Sequence, residues 1–172
     1  MAVWIDVNGR REDPFVAFTF DVFSMDGTIP RGAVAFSEVR GLKDETAVIN
    51  YRSGIDTYDR KVPGRTTVQN LTLVRGLDHD RTMRNWRKLC KEDASLLQGS
   101  ALPSGIRKDI VVVQTVRGTG STTGHDIRKW ICYNAWPCSL EVADHKGDSD
   151  DIVLETMELA FEMLDEEDGE LV

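Results

Sequence analysis

Apolar residues along this chain recur mostly at every second position. In Phe15 to Phe23 (FVAFTFDVF), Val16, Phe18, Phe20 and Val22 mark one face, and Ala17, Thr19 and Asp21 mark the other. That period of two predicts a strand. The turn-prone stretch Met25 to Gly32 ends it. Ala33 to Val39 predicts a second strand, closed by Arg40-Gly41, and Ala47 to Arg52 a third. Val68 to Val74 alternates well, with Val68, Leu71 and Leu73 as core candidates. Between the last two runs lies a polar link, Ser53 to Thr66, containing Gly54, Pro63 and Gly64. It is too long for a tight hairpin, and links of this length are more often functional than idle.

His79 to Lys91 (HDRTMRNWRKLCK) changes period. Met83, Trp86, Leu89 and Cys90 share a helical face, and Arg81, Arg84, Arg87, Lys88 and Lys91 take the rest. Asp78 or Asp80 is placed to cap its first turn. The basic side reads as a solvated outer face whose cations favour the helix C-terminus. Asp93 to Arg107 reads as loop.

Asp109 to Arg117 and Ile127 to Asn134 read as hairpin arms around a Gly-rich tip, Gly118 to Gly124. Trp136 to Val142 reads as a further short strand, followed by an acidic turn, Asp144 to Asp151. Asp151 to Leu164 is ambiguous. Its Leu, Glu, Met and Ala content leans to helix. As a strand it would place Val153, Met157, Leu159, Phe161 and Met163 on one face with Glu155. The acidic end, Asp165 to Val172, is expected to be flexible.

The length of 172 residues fits one domain, 1–172, large enough to bury a core without disulfides or a metal. The formal charge of −8 opposes general nucleic-acid binding, which needs a basic surface. It fits either plain solubility or an acidic passage wall that would not grip a polyanion. No apolar run is long enough to span a membrane, and the N-terminus does not read as a secretory signal. Synthesis in the cytoplasm is the expectation, with Cys90, Cys132 and Cys138 as reduced thiols.

Chemistry is hard to find. Gly118-x-Gly120-x-x-x-Gly124 lacks the ending of a phosphate loop, and Ser121 is not in a nucleophile elbow. Asp144, Asp148, Asp150 and Asp151 do not have EF-hand spacing. The expectation is no catalytic, cofactor-binding or metal site. One segment does stand out: Arg60-Lys61-Val62-Pro63-Gly64-Arg65 is basic within an acidic chain, suited to an acidic surface on another copy. Sheet edges must also be covered, and pairing between copies around a ring would cover them.

Four blocks then carry a resemblance. They are Phe36-Ser37-Glu38-Val39-Arg40-Gly41-Leu42 with Tyr51-Arg52-Ser53-Gly54; Lys61-Val62-Pro63-Gly64-Arg65-Thr66 running into Asn70 to Leu77; Tyr133-Asn134-Ala135-Trp136-Pro137; and Val153 to Ala160. In this order, and reaching from Phe15 to about Leu164, they resemble the contractile phage tail tube protein family, including inner tube proteins of phage-tail-like extracellular injection systems. The resemblance implies a mainly β fold, a β-barrel of two packed antiparallel sheets, with one flanking α-helix. It makes Asp151 to Leu164 a strand. It implies stacked hexameric rings forming a tube inside a contractile sheath, with baseplate or initiator tube proteins as further partners. The payload would be DNA in a phage tail or an effector protein in an injection particle, with no membrane insertion. Lys61, Pro63, Gly64 and Arg65 fall on the family's subunit and ring contact loop. Leu96 to Arg107 and the Gly118 to Gly124 tip look longer than the family pattern. The competing expectation is a small-ligand-binding β-barrel module, which needs a closed apolar cavity within one subunit. An enzyme using the acidic turn near Asp148 is a third.

Overall fold

The computed structural model describes residues 20–32, 34–52, 54–55, 57–94, 105–116, 125–144 and 152–168. In chain order these form β1 (Phe20–Ser24), β2 (Glu38–Arg40), β3 (Asp44–Tyr51), β4 (Arg60–Val68), β5 (Leu71–Gly76), α1 (Thr82–Ala94), β6 (Lys108–Val116), β7 (His125–Val142), β8 (Leu154–Ala160) and β9 (Met163–Asp168). The chain is mainly β with one helix, as the period-two pattern predicts.

All strand pairs are antiparallel. β7 organises them. Its first part pairs with β6 on one side and β9 on the other, and its second part pairs with β8. β1 extends the first layer through β6, and β5 and β2 extend the second through β8. Trp136 to Val142 is therefore not a separate short strand; it continues the same 18-residue strand.

Both layers supply one core. Val22, Ile110, Val112 and Cys132 meet Leu71, Leu73, Met157 and Leu159, with Met83, Trp86 and Cys90 from the helix. In the second layer Leu71 lies opposite Leu159 and Leu73 opposite Met157, so alternate residues point the same way. Their neighbours Thr72, Thr156 and Glu158 stay partly or fully in water. Ile110, Val111, Val112 and Val113 are all buried, the mark of a strand covered on both faces.

Asn134 lies where β7 passes from one layer to the other, at φ 54°, a conformation Asn tolerates better than most residues. Its N–H donates to Asp109 Oδ1 at 2.9 Å, and its Nδ2 donates to Glu162 Oε2 at 2.9 Å. Glu162 N–H donates to Tyr133 O at 3.0 Å, and Arg107 pairs with Glu162. Phe161 and Glu162 separate β8 from β9, so both chains change layer at one corner. Leu154 to Ala160 is thus strand, as are Met163 and Leu164 past the corner, and pairing overrides the helical propensity of this segment. Glu155, Met157, Leu159 and Phe161 are buried together as the alternation predicts, but Met163, past the corner, is exposed. Asp165 to Asp168, expected as part of a flexible tail, belong to β9.

The helix starts later than the sequence pattern placed it. Asp80 Oδ1 accepts the Thr82 N–H at 3.1 Å, settling the choice of cap. Met83, Trp86 and Cys90 are buried, while Leu89 is half exposed at the edge of the face. Trp86 Nε1 donates to Ile106 O at 2.7 Å. Arg81, Arg84, Lys88 and Lys91 are exposed, and Arg87 Nη1 donates to Pro137 O at 3.0 Å. The expected strand segments Phe15 to Thr19, the Gly118 to Gly124 tip, Leu96 to Ser104 and Asp148 to Asp151 lie outside the described residues.

A candidate assembly surface

β3 and β4 form a two-stranded sheet that, among the described residues, pairs with no other strand. Arg60 to Thr66 therefore belong to a strand and not to a loop, and the ladder reaches Tyr51 opposite Arg60. Lys61 lies opposite Asn50 and Pro63 opposite Val48. Pro63 is tolerated because the ladder shifts register between Thr46 and Val48, and because the pair is an edge on both sides. Gly64 lets the strands close at that shift: a Cβ there would lie 2.9 Å from Ala47 O. Lys61, Pro63 and Arg65 are exposed and Gly64 is half-buried.

The hairpin leaves the second layer through a narrow neck. Gly41 has φ 93°, and a Cβ there would stand 2.1 Å from Asn70 O. Lys43 N–H donates to Gly41 O at 2.8 Å and Gln69 N–H to Lys43 O at 3.1 Å, closing the neck. Beyond it every residue of β3 is exposed. Val48, Ile49, Tyr51 and Val62 show large apolar surface, and at the tip Ile55 is 96% and Tyr58 70% exposed. An isolated hairpin is marginal in water, and apolar surface of this extent makes the hairpin a candidate contact site.

A buried ion pair braces the other end of the same layer, away from the neck. Arg75 on β5 and Glu155 on β8 lie opposite each other and are almost wholly buried. Arg75 Nε donates to Glu155 Oε2 at 2.8 Å, Nη1 to Asp80 Oδ2 at 3.1 Å and Nη2 to Asp80 O at 2.8 Å. The pair ties β5, β8 and the helix cap together. Burial opposes the Arg75 charge, but its bonds to Glu155 and Asp80 outweigh this and raise its pKa. Hydrogen bonds from Thr82, with Arg75 beside them, hold the Asp80 carboxyl below the usual carboxylate range. Neither Arg75 nor Glu155 was singled out as functional from sequence. The available signal was a charge in the apolar register of each strand: Leu71, Leu73, Arg75 and Glu155, Met157, Leu159.

A second clasp holds the turn after β1. Lys108 Nζ, largely buried, donates to Asp26 Oδ2 at 2.5 Å and Thr28 Oγ1 at 2.8 Å, and lies 5.9 Å from the Trp86 ring centre. Ser24 Oγ donates to Asp26 Oδ1 at 2.6 Å. Partial burial raises the Asp26 pKa, but these donors outweigh it and hold the carboxyl far below its ordinary value. Among the described residues no group of three or more His, Cys, Asp or Glu side chains is placed to hold a metal ion. Cys90, Cys132 and Cys138 form no disulfide; the first two are buried and Cys138 is partly exposed. No helix among the described residues is long and apolar enough to cross a membrane.

Two antiparallel layers sharing one long strand, a single flanking helix and a detached hairpin define a tail-tube fold. The family model described as T4-like virus tail tube protein gp19 matches residues 16–165, and the chain belongs to that family. Its fold is similar to a chain of the PVC sheath–tube complex of an extracellular contractile injection system in the extended state, with TM-score 0.69 and 24% identity over 91% of this chain and 93% of that one. It is similar to a chain of the anti-feeding prophage tube-terminating cap, with TM-score 0.71 and 23% identity over 91% and 93%. Hcp1 from Flavobacterium johnsoniae is more distant, with TM-score 0.52 and 11% identity over 88% and 96%. No curated protein sequence matches the chain.

Proposed function

We propose that this chain is the self-assembling subunit of the inner tube of a contractile phage tail or injection particle. It forms hexameric rings that stack within a sheath upon a baseplate or initiator tube protein, and it conducts DNA or an effector protein without chemistry of its own. It is made in the cytoplasm as a single 1–172 domain. The observation that carries this reading is the β3–β4 hairpin, whose apolar side chains are exposed and have no partner layer among the described residues. Fully burying a side chain of the Ile, Val or Tyr size is worth about 1.5–3 kcal/mol, so contact between copies makes a marginal hairpin stable.

Lys61, Pro63, Gly64 and Arg65 are the contact residues of this hairpin in the proposal. The exposed cations supply charge, while Pro63 and Gly64 shape the strand at its register shift. The exposed edges support ring closure: β1 and β2 end the sheet path, and β9 flanks β7. A small-ligand barrel would need a cavity where Met83, Trp86, Leu73 and Met157 are packed.

Negative-stain electron microscopy of the purified full chain tests the reading. Rings or tubes of constant diameter are expected. A protein that stays strictly monomeric at high concentration, with and without its sheath and baseplate partners, overturns it.

A further inference from the structure

Two short connectors carry the hairpin away from the second layer. Gly41, Leu42 and Lys43 join β2 to β3, and Gln69 and Asn70 join β4 to β5. Leu42 and Val68 pack against the core and fix the place where the hairpin leaves. Its direction is a separate matter. At about 3.3 Å per residue, the nine residues of β4 span about 30 Å, so a turn of about 10° at the neck moves the tip by about 5 Å.

Asn70 links the neck to the body. Its carbonyl takes the close approach of Gly41, and its Nδ2 donates to Cys138 Sγ at 3.8 Å. Cys138 is the extra residue of a bulge in β7. Pro137 lies opposite Leu159 and Ser139 opposite Glu158, so Cys138 has no partner in that ladder. A bulge bends its strand and re-aims a side chain. Here Cys138 Sγ donates to Glu158 O at 3.4 Å, so the side chain reaches across β8, the strand between β7 and β5. On the other side of the bulge, Arg87 Nη1 of α1 donates to Pro137 O at 3.0 Å. A line of contacts therefore runs from the helix, through the bulge, to the neck. The Arg87 bond is charge-assisted. The bonds at sulfur are weak singly, so the bulge acts through where it holds Cys138.

We propose that helix α1 sets the direction of the β3–β4 hairpin, with Arg87 as a positioning residue that acts through the Pro137–Ser139 bulge and Asn70. Arg87 holds Pro137 O, the held bulge aims Cys138 across β8, and Cys138 with Glu158 O gives Asn70 a fixed wall. A carboxylate presented to the helix by another protein would compete with Pro137 O for this guanidinium, so contact on the helix is felt at the hairpin. The coupling belongs to a single subunit and does not depend on how copies assemble.

Distances between paired spin labels test it. A ketone-bearing amino acid, p-acetylphenylalanine, carries each label and leaves Cys138 in place. One pair sits at Tyr58 on the hairpin tip and Arg84 on the helix. A control pair sits at Arg84 and Asp144, both exposed on the body. The full chain is diluted with unlabelled protein and measured by double electron–electron resonance. Arg87→Met is expected to shift or broaden the Tyr58–Arg84 distance by about 5 Å and to leave the control pair unchanged. Arg87→Lys, which keeps a donor for Pro137 O, should restore the parent distribution. Asn70→Ala should reproduce the Arg87→Met shift with Arg87 intact. An unchanged Tyr58–Arg84 distance in Arg87→Met overturns the proposal. So does an equal shift in both pairs, which would mean that Arg87 holds the helix and not the hairpin. Should Arg87→Met fail to fold, an unchanged distance in Asn70→Ala overturns it alone.

Discussion

Arg75 and Glu155 face each other across neighbouring strands, 2.8 Å apart and nearly sealed from water. A buried pair of this kind is costly to break because the survivor keeps its charge without a partner. Arg75→Met or Glu155→Leu alone is expected to lower stability by about 3–5 kcal/mol. Arg75→Met/Glu155→Leu together should recover most of that loss, though not the Asp80 bonds. Chemical denaturation of the three variants checks it, and a double variant as weak as the singles contradicts it.

Gly41 has no tolerant substitute. Ala at φ 93° would be strained, and its Cβ would enter the Asn70 carbonyl. Gly41→Ala should cost about 1–3 kcal/mol. It should also shift the amide resonances of the hairpin neck, Lys43 and Gln69, more than those of the core. An unchanged melting temperature would count against the close approach.

Acid should weaken the fold from a known side. Asp26 and Asp80 carry folded pKa values below their ordinary value near ~4. Their contribution is complete above that value and is lost as pH falls through the folded values, when protons must be forced onto both groups. Thermal stability should therefore decline progressively below about pH 4. Asp26→Asn should be less stable than the parent at neutral pH and lose less on acidification. Equal acid sensitivity in the two proteins would remove Asp26 from the explanation.

Arg65→Glu should leave the circular dichroism spectrum and melting temperature intact, since Arg65 is exposed on a detached strand. Tube length should fall. Tubes of normal length from this variant contradict the contact role of β4.

The three thiols should separate by reactivity. Burial pushes the Cys132 thiol up to about 12, far from the thiolate form that reacts. Alkylating reagents at neutral pH should modify Cys138 first and reach Cys90 and Cys132 only on unfolding. Labelling of Cys132 as fast as Cys138 in the native protein would contradict its burial.

Alternation made β1 and β5 legible in the sequence because each has a buried face to mark, and β6 was legible as a continuous apolar run because it is covered on both faces. The same signal is missing from β4. Arg60 to Val68 buries neither face, and its Pro63 and Gly64 read as breakers, so only pairing with β3 makes it a strand. Its basic charge still sets it apart in an acidic chain. The layer change was hidden differently. Tyr133 to Pro137 and Ala160 to Met163 each read as separate pieces or as one run, because a corner depends on contacts such as Asn134 with Asp109 and Glu162. Read as a strand, the last apolar run places Ile152 and Leu154 on the face opposite Met157 and Leu159, and both are exposed.

β7 also has a mechanical meaning. Layers joined only by packed side chains can slide or peel under shear. Here one unbroken peptide runs through both, so a load on either layer passes to the other along covalent bonds. Separating them means tearing ladders from β7 on both flanks at once, at the corner gripped by Asn134 and Glu162. A subunit wired in this way yields as a single unit.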